Sequence, residues 1–256
     1  MNKNNENDAN NSEDIVYGRH PVEELLVHSP ERIEKIFLKD SIGRKGIEDI
    51  LNQASKRKIP VSFVPDRKIS DLAGKDSVSQ GIVALISPTK YFTLKEWLPS
   101  VDMDSNPIVI VLDELEDPHN VGAILRSAAA AGASGVILGK HNQAQVNATV
   151  YKTSAGTAGR VPIVRVSNIN DALKNLKDAG FWIIGLDGNS KKTLWQEDFN
   201  SSTALVVGSE GSGIRTKTLE ACDFTVSIPM QNNVESLNAS VSTALVLYEW
   251  ARRKAN

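Results

Sequence analysis

A single cysteine, Cys222, occurs in the 256 residues, so no disulfide can form within the chain. That scarcity suits a reducing compartment, and a cytoplasmic location is expected. Cys222 lies in the apolar-flanked stretch from Leu219 to Val226 and reads as a small buried residue, not a nucleophile. The four histidines (His20, His28, His119 and His141) are scattered and form no H-x-x-x-H or cysteine-histidine set, so no metal site is expected. There is no G-x-S-x-G elbow, which argues against a serine hydrolase. There is no G-x-G-x-x-G fingerprint or Walker A loop either, which argues against a dinucleotide-dependent oxidoreductase. No apolar run approaches the roughly 20 residues needed to span a bilayer, so no membrane partner is expected. Met1 to Asp14, rich in Asn, Glu and Asp, lacks the apolar core of a signal peptide and reads as a disordered tail. A net charge of −2 announces no polyanionic partner for the molecule as a whole.

Charge is unevenly spread, however. Between Arg32 and Lys68 ten Lys and Arg residues face five acids. Such a stretch suits a phosphate backbone and equally suits a solvated helix face. Residues 15–88 alternate short apolar runs with helical periods. Val22, Leu25 and Leu26 share one helix face, and Ile47, Ile50, Leu51 and Ala54 another. Ile33–Leu38, Val61–Val64 and Gly81–Ile86 read as strands, and a short helix falls near Ile69–Leu72. This is a small, complete α/β/α unit. Residues 89–106 have no clear period and read as a linker with one short helix. Residues 107–256 alternate again. Strands are expected at Ile108–Leu112, Gly135–Leu138, Pro162–Val166, Trp182–Leu186, Ala204–Val207 and Phe224–Ile228, with helices at Val121–Ala131, Asn147–Thr153, Asn168–Asp178, Ile214–Ala221 and Leu237–Arg253. Strands this short and this uniformly apolar predict an α/β fold with a mostly parallel sheet covered on both faces.

Three segments share one plan, a strand end followed by a polar loop and a helix start. They are Leu112 to Arg126, Leu205 to Ile214 and Ile228 to Val241. In open α/β sheets ligands bind at such carboxyl ends of strands. In the first, Arg126 sits beside an alanine-rich face, where it either projects into a cleft or is an ordinary surface arginine. In the second, Gly208, Gly211 and Gly213 permit close backbone approach, while Glu210 would repel a polyphosphate. In the third, Ser236 and Asn238 suit a helix N-cap as well as a binding site.

Together these segments resemble the SpoU (TrmH-type) family of RNA ribose 2′-O-methyltransferases in the SPOUT superfamily. The resemblance rests on Asp113 to Arg126, Val206 to Gly211 and Ile228 to Ser240, in that order and spacing, and covers about Val109 to Ala251. Tyr17-Gly18-Arg19-His20-Pro21-Val22 and Ser79-Gln80-Gly81 in the first block are similar to the L30e-like RNA substrate-binding domain of members that act on 23S ribosomal RNA. The resemblance implies a deep trefoil knot in the catalytic domain, S-adenosylmethionine as cofactor, and a homodimer whose site borrows residues from the partner subunit. It assigns cofactor contacts to Gly208, Ile228 and Leu237, and the catalytic group to Asn120, Arg126, Glu210, Ser236 and Asn238. Because arginine stays protonated below about pH 12, Arg126 is expected to clamp the target phosphate and hydroxyl, not to act as a free base. The expected activity is 2′-O-methylation of a guanosine ribose in 23S RNA. A tRNA methyltransferase and a non-catalytic ribosomal assembly factor are the alternatives.

Overall fold

The apolar runs and helical periods become nineteen named strands and helices in the structure, a computed structural model that describes residues 15–74, 77–87, 89–232 and 234–255. The tail expected over residues 1–14 lies outside the described residues. In chain order the elements are β1 (Ile15–Tyr17), α1 (Arg19–His28), β2 (Ile33–Lys39), α2 (Glu48–Lys56), β3 (Val61–Val64), α3 (Asp66–Ala73), β4 (Ile82–Ile86), α4 (Leu94–Trp97), β5 (Ile108–Asp113), α5 (Pro118–Ala131), β6 (Gly135–Gly139), α6 (Ala148–Thr153), β7 (Ile163–Val166), α7 (Ile169–Asp178), β8 (Trp182–Leu186), β9 (Thr203–Gly208), α8 (Thr216–Glu220), β10 (Phe224–Val226) and α9 (Ala239–Lys254). They divide into two units. Of the described residues, one holds those up to Thr89 together with Gln145–Arg160, and the other holds Lys90–Ala144 and those from Val161 onward.

The first unit is built on a four-stranded sheet in the order β1-β4-β2-β3, with only β2 and β3 parallel. Val22, Leu25 and Leu26 of α1 are buried, as their spacing requires, and so are Ile33, Ile36 and Leu38 of β2. Strand β1 is too short for alternation to reveal. It is held by antiparallel pairing with β4. Two expectations are corrected here. Residues 107–256 do not form one block, because α6 and the turn after it pack on α1 and β1. Arg160 pairs with Glu24, and Lys152 Nζ donates to the Tyr17 hydroxyl at 2.9 Å. Arg32 does not belong to an exposed basic face. It is 7% exposed, donates from Nη2 to the Ser87 carbonyl at 2.7 Å, and stacks its guanidinium 4.4 Å from the centre of the Tyr151 ring.

The second unit is a six-stranded sheet in the order β10-β8-β9-β5-β6-β7, parallel at every pairing. Every residue of β5 and β9 is buried, which explains why these runs lack alternation. From β5 the chain winds outward through β6 and β7, then crosses to the other half of the sheet. The order therefore reverses between β5 and β9, the place where open α/β sheets leave a crevice. Helix starts follow side-chain caps: Asn147 accepts from Val150 N–H, and Asn168 from Asn170 and Asp171 N–H. Helix α5 begins at Pro118, three residues earlier than expected, because proline fits a first turn and Asp117 caps it through His119 N–H at 2.8 Å.

Residues 89–106 are not a free linker. Phe92 exchanges backbone hydrogen bonds with β7, donating to Ile163 O and accepting from Arg165 N, both at 2.9 Å. Thr93 and Glu96 form a capping box on α4. Trp97 is 2% exposed in the core with Val109, Ile137 and Val164, and its Nε1 donates to Ser134 O at 3.0 Å. The ring lies so close to the sheet that a Cβ on Gly135 would sit 2.9 Å from it. Trp97→Ala should therefore cost about 3–5 kcal/mol, and the calorimetric Tm should fall by about 6–20 °C. An unchanged Tm would restore the linker.

Candidate active site

The site is assembled at the C-terminal edge of the second unit's sheet. Strand β9 ends at Gly208, directly in register with Asp113 at the end of β5. The chain then folds back on itself, with Ser209 N–H donating to Gly213 O at 3.2 Å and Gly213 N–H to Ser209 O at 2.9 Å. This fold-back leaves no room for a side chain at Gly208, where a Cβ would lie 2.1 Å from the Gly213 carbonyl carbon. The requirement is steric close approach of two backbone segments.

The loop is held from the other side by an ion pair. The Asp113 side chain is completely buried. Its Oδ2 accepts from Arg215 N–H at 2.9 Å, and its Oδ1 accepts from Arg215 Nε at 2.9 Å and Nη2 at 2.6 Å. Arg215 Nη1 reaches Glu114 at 2.9 Å. The hydrogen bonds to Asp113 raise the arginine pKa above its ordinary value. Sequence reasoning assigned neither residue a role. The available signal was an acid at the end of an otherwise apolar buried strand.

Three of the expected catalytic residues meet. Asn120, in the first turn of α5, is 5% exposed and donates from Nδ2 to Glu210 Oε1 at 2.9 Å. Asn238 donates from Nδ2 to Asn120 Oδ1 at 2.9 Å and also, very closely, to Glu210 Oε1. Ala239 N–H adds a longer bond to the same carboxylate oxygen at 3.4 Å. The Asn238 side-chain oxygen Oδ1 meanwhile caps α9, accepting from Ser240 N–H at 2.9 Å and Val241 N–H at 3.3 Å. Asn238 is thus both the cap and a member of the cluster. Helix α9 starts at Ala239, two residues later than expected.

A cavity of about 440 Å³ opens beside this cluster, at the ends of β8, β9 and β10. Gly208, Ile228 and Leu237 all line it, as do Glu210 and Ser236. Its lining contains no lysine or arginine among the described residues, and its ionisable groups are Glu210 and Glu235. A polyphosphate would find no cation there. A ligand of neutral or positive charge fits.

Arg126 does not join the cluster. Six residues beyond Asn120 it lies about 9 Å further along the helix axis and a third of a turn around it. It is exposed and makes no hydrogen bond or ion pair among the described residues. Val121, Ile124, Leu125 and Ala128 form the buried face of α5 as expected. Cys222 donates to Thr218 O at 3.4 Å, and burial pushes its thiol pKa up to about 12, which keeps it an inert thiol.

Residues 107–248 match the SpoU rRNA Methylase family, and residues 15–92 match the family described as RNA 2′-O ribose methyltransferase substrate binding. A Staphylococcus epidermidis protein placed in the TrmH family of tRNA/rRNA methyltransferases is 40% identical over 94% of this chain and 96% of its own length. The 23S rRNA (guanosine-2′-O-)-methyltransferase RlmB of Pseudomonas putida is 36% identical over 93% of this chain and 96% of its own. Among solved structures, the SpoU methyltransferase AviRb from Streptomyces viridochromogenes, in complex with AdoMet, superposes with a TM-score of 0.79 at 25% identity, covering 96% of this chain and 91% of that one.

The ion pair at the strand ends makes an asymmetric prediction. Arg215→Ala leaves a fully buried carboxylate with one backbone donor and should cost about 3 kcal/mol. Asp113→Asn keeps an acceptor for Arg215 N–H and frees an arginine that can reach water, so it should cost less. Thermal unfolding should rank wild type above Asp113→Asn above Arg215→Ala. The reverse order of the two variants would show that the carboxylate is not the charge that needs compensation.

Proposed function

The chain belongs to the SpoU rRNA methylase family, and from that premise we propose that it is a homodimeric RNA methyltransferase that uses S-adenosylmethionine to methylate the ribose 2′-hydroxyl of a guanosine in 23S ribosomal RNA. The observation that carries the reading is the closed hydrogen-bond cluster of Asn120, Glu210 and Asn238 against a cavity lined by Gly208, Ile228 and Leu237.

The cavity suits the cofactor in charge and size. It has two carboxylates and no cation among the described residues, and a volume within the usual range for small-molecule sites. When bound, S-adenosylmethionine supplies a methyl group on a sulfonium, electrophilic enough that no covalent protein intermediate is required. The protein's task is to align the ribose hydroxyl and relieve it of its proton. Alignment alone contributes several kcal/mol. Gly208, Ile228 and Leu237 hold the cofactor. Glu210 fixes the amides of Asn120 and Asn238, and Ser236, on the cavity wall, orients the hydroxyl or the cofactor carboxylate. Arg126 clamps the target phosphate and hydroxyl.

Arg126 stands away from the cluster of its own subunit, which supports a site completed across a dimer interface. Leu237 and, on α9, Val241, Leu245 and Tyr248 are between 36% and 56% exposed and recur at helical spacing. This apolar stripe begins at the cavity wall, so a second subunit covering it would bring its own α5 near the site. The 23S assignment draws on the match of residues 15–92 to the substrate-binding family and on the Pseudomonas putida relative.

The deciding assay is transfer of labelled methyl to unmodified 23S RNA and, separately, to bulk tRNA, with the modified nucleoside identified by mass. We expect 2′-O-methylguanosine in 23S RNA alone. Label in tRNA would keep the chemistry and change the substrate. Bound cofactor with no label in either RNA would favour an assembly factor. Arg126→Ala should lower transfer by more than about 100-fold while leaving cofactor affinity unchanged. Wild-type turnover in that variant would remove Arg126 from the site.

A further inference from the structure

Beyond the methyl-donor cavity, the C-terminal edge of the same sheet carries a second run of hollows. A cavity of about 530 Å³ adjoins the cluster, lined by Asn120 and by the acids Glu114, Glu116, Asp117 and Glu210, so any phosphate contact on this edge falls at the hollows beyond it. Glu114 also lines the next, of about 390 Å³, at the ends of β6 and β7. That one shares Asn170 and Arg215 with a third, of about 430 Å³, which meets the first again at Ser212. From β9 to β7 this edge spans three strand spacings, about 14 Å, or a few nucleotides of stacked single strand at about 3.4 Å each.

Two features of these hollows are unexplained by folding. Asn170 Oδ1 and Thr218 Oγ1 are buried and have no hydrogen-bond partner among the described residues, and both residues line the third cavity. Thr218 is 0% exposed, so its hydroxyl costs stability where valine of the same shape would not. Lys140, at the second cavity, and Lys217, at the third, are exposed and form no ion pair among the described residues. The one acid lining the second cavity among the described residues, Glu114, shares Arg215 with Asp113 and is held by Asn142 at 3.3 Å, which leaves one net negative charge that the Lys140 ammonium offsets. The combination is a polar pocket for a nucleobase edge with two lysines for the adjoining phosphates.

We propose that this edge is a subsite for an unpaired RNA nucleotide flanking the target, with Asn170 and Thr218 meeting the base and Lys140 and Lys217 holding its phosphates. The proposal rests on the RNA methyltransferase reading above. It makes the sheet edge itself, beside the methyl-donor cavity, a determinant of which RNA is accepted.

The test uses the full chain and an unmodified 23S RNA transcript, with anisotropy measured across a potassium chloride series. Lys140→Ala/Lys217→Ala should weaken RNA binding about tenfold and flatten the log–log salt slope by about 1.4, the contribution of two single-strand phosphate contacts. Cofactor affinity and kcat at saturating RNA should be unchanged. Thr218→Val should hold or raise the Tm while raising KM for the transcript several-fold. A hydroxyl retained for folding would instead lower the Tm and leave KM alone. If wild type methylates the transcript and the lysine variant keeps the wild-type slope, or Thr218→Val keeps the wild-type KM, the subsite is refuted and the methyltransferase reading stands. If wild type methylates no RNA, the methyltransferase reading fails and the subsite falls with it.

Discussion

The side-chain amide of Asn238 has one acceptor end and one donor end, and the fold uses both. Its oxygen faces the Ser240 and Val241 N–H groups at the start of α9, groups that can only donate. Its nitrogen must therefore face the other way, toward Asn120 Oδ1 and Glu210 Oε1. Once that orientation is set, the Asn120 amide has no freedom either: its oxygen is taken by Asn238, so its nitrogen must donate to the carboxylate. A helix cap worth about 1 kcal/mol thus ties together three loops that are far apart in sequence. Replacement by aspartate would keep the cap but set one carboxylate against another.

The neighbouring constraints act on the same loops. Gly208 lets the strand end meet the returning backbone at Gly213, and the buried Asp113 anchors Arg215 at the far end of that turn. Between these two points the loop carries Glu210, whose carboxylate has to hold its position while facing a cavity. Rigidity at both ends is what permits a charged side chain to serve as a scaffold. The cavity's lack of cations follows from the same arrangement, since the arginine of this loop is committed to Asp113 and points away from the ligand side.

Much of the second unit was legible from periodicity alone. Trp182–Leu186 is a strand at the expected residues, and the other five strands differ from expectation by one or two residues at an end. Gly132 ends α5 in the left-handed conformation that glycine adopts most readily. Asn120, Glu210 and Asn238 were expected at one site and do meet, because each follows a strand end on the same edge. Apolar spacing states that a residue is buried but not against what. Hence Trp97 was assigned to a linker, Arg32 was counted with a solvated face, and the attachment of Tyr151 to the first unit was missed. Asn238 admitted two readings because capping and clustering both require the same amide. The separation of Arg126 from the cluster was not legible, since helical spacing gives the face of α5 on which it lies but not what that face meets.

Residues Gln145–Arg160 lie after β6 in the chain yet pack with the N-terminal unit. During synthesis, that unit therefore cannot close when residue 89 leaves the ribosome. It must wait for α6 to supply Tyr151 to Arg32 and Lys152 to Tyr17. At about 5–20 residues per second the delay is several seconds, during which β5 and β6 have already emerged. The N-terminal unit is thus completed at Arg160, before β7 to β10 of the second have been made, and a chain truncated between residues 89 and 145 leaves it unfinished.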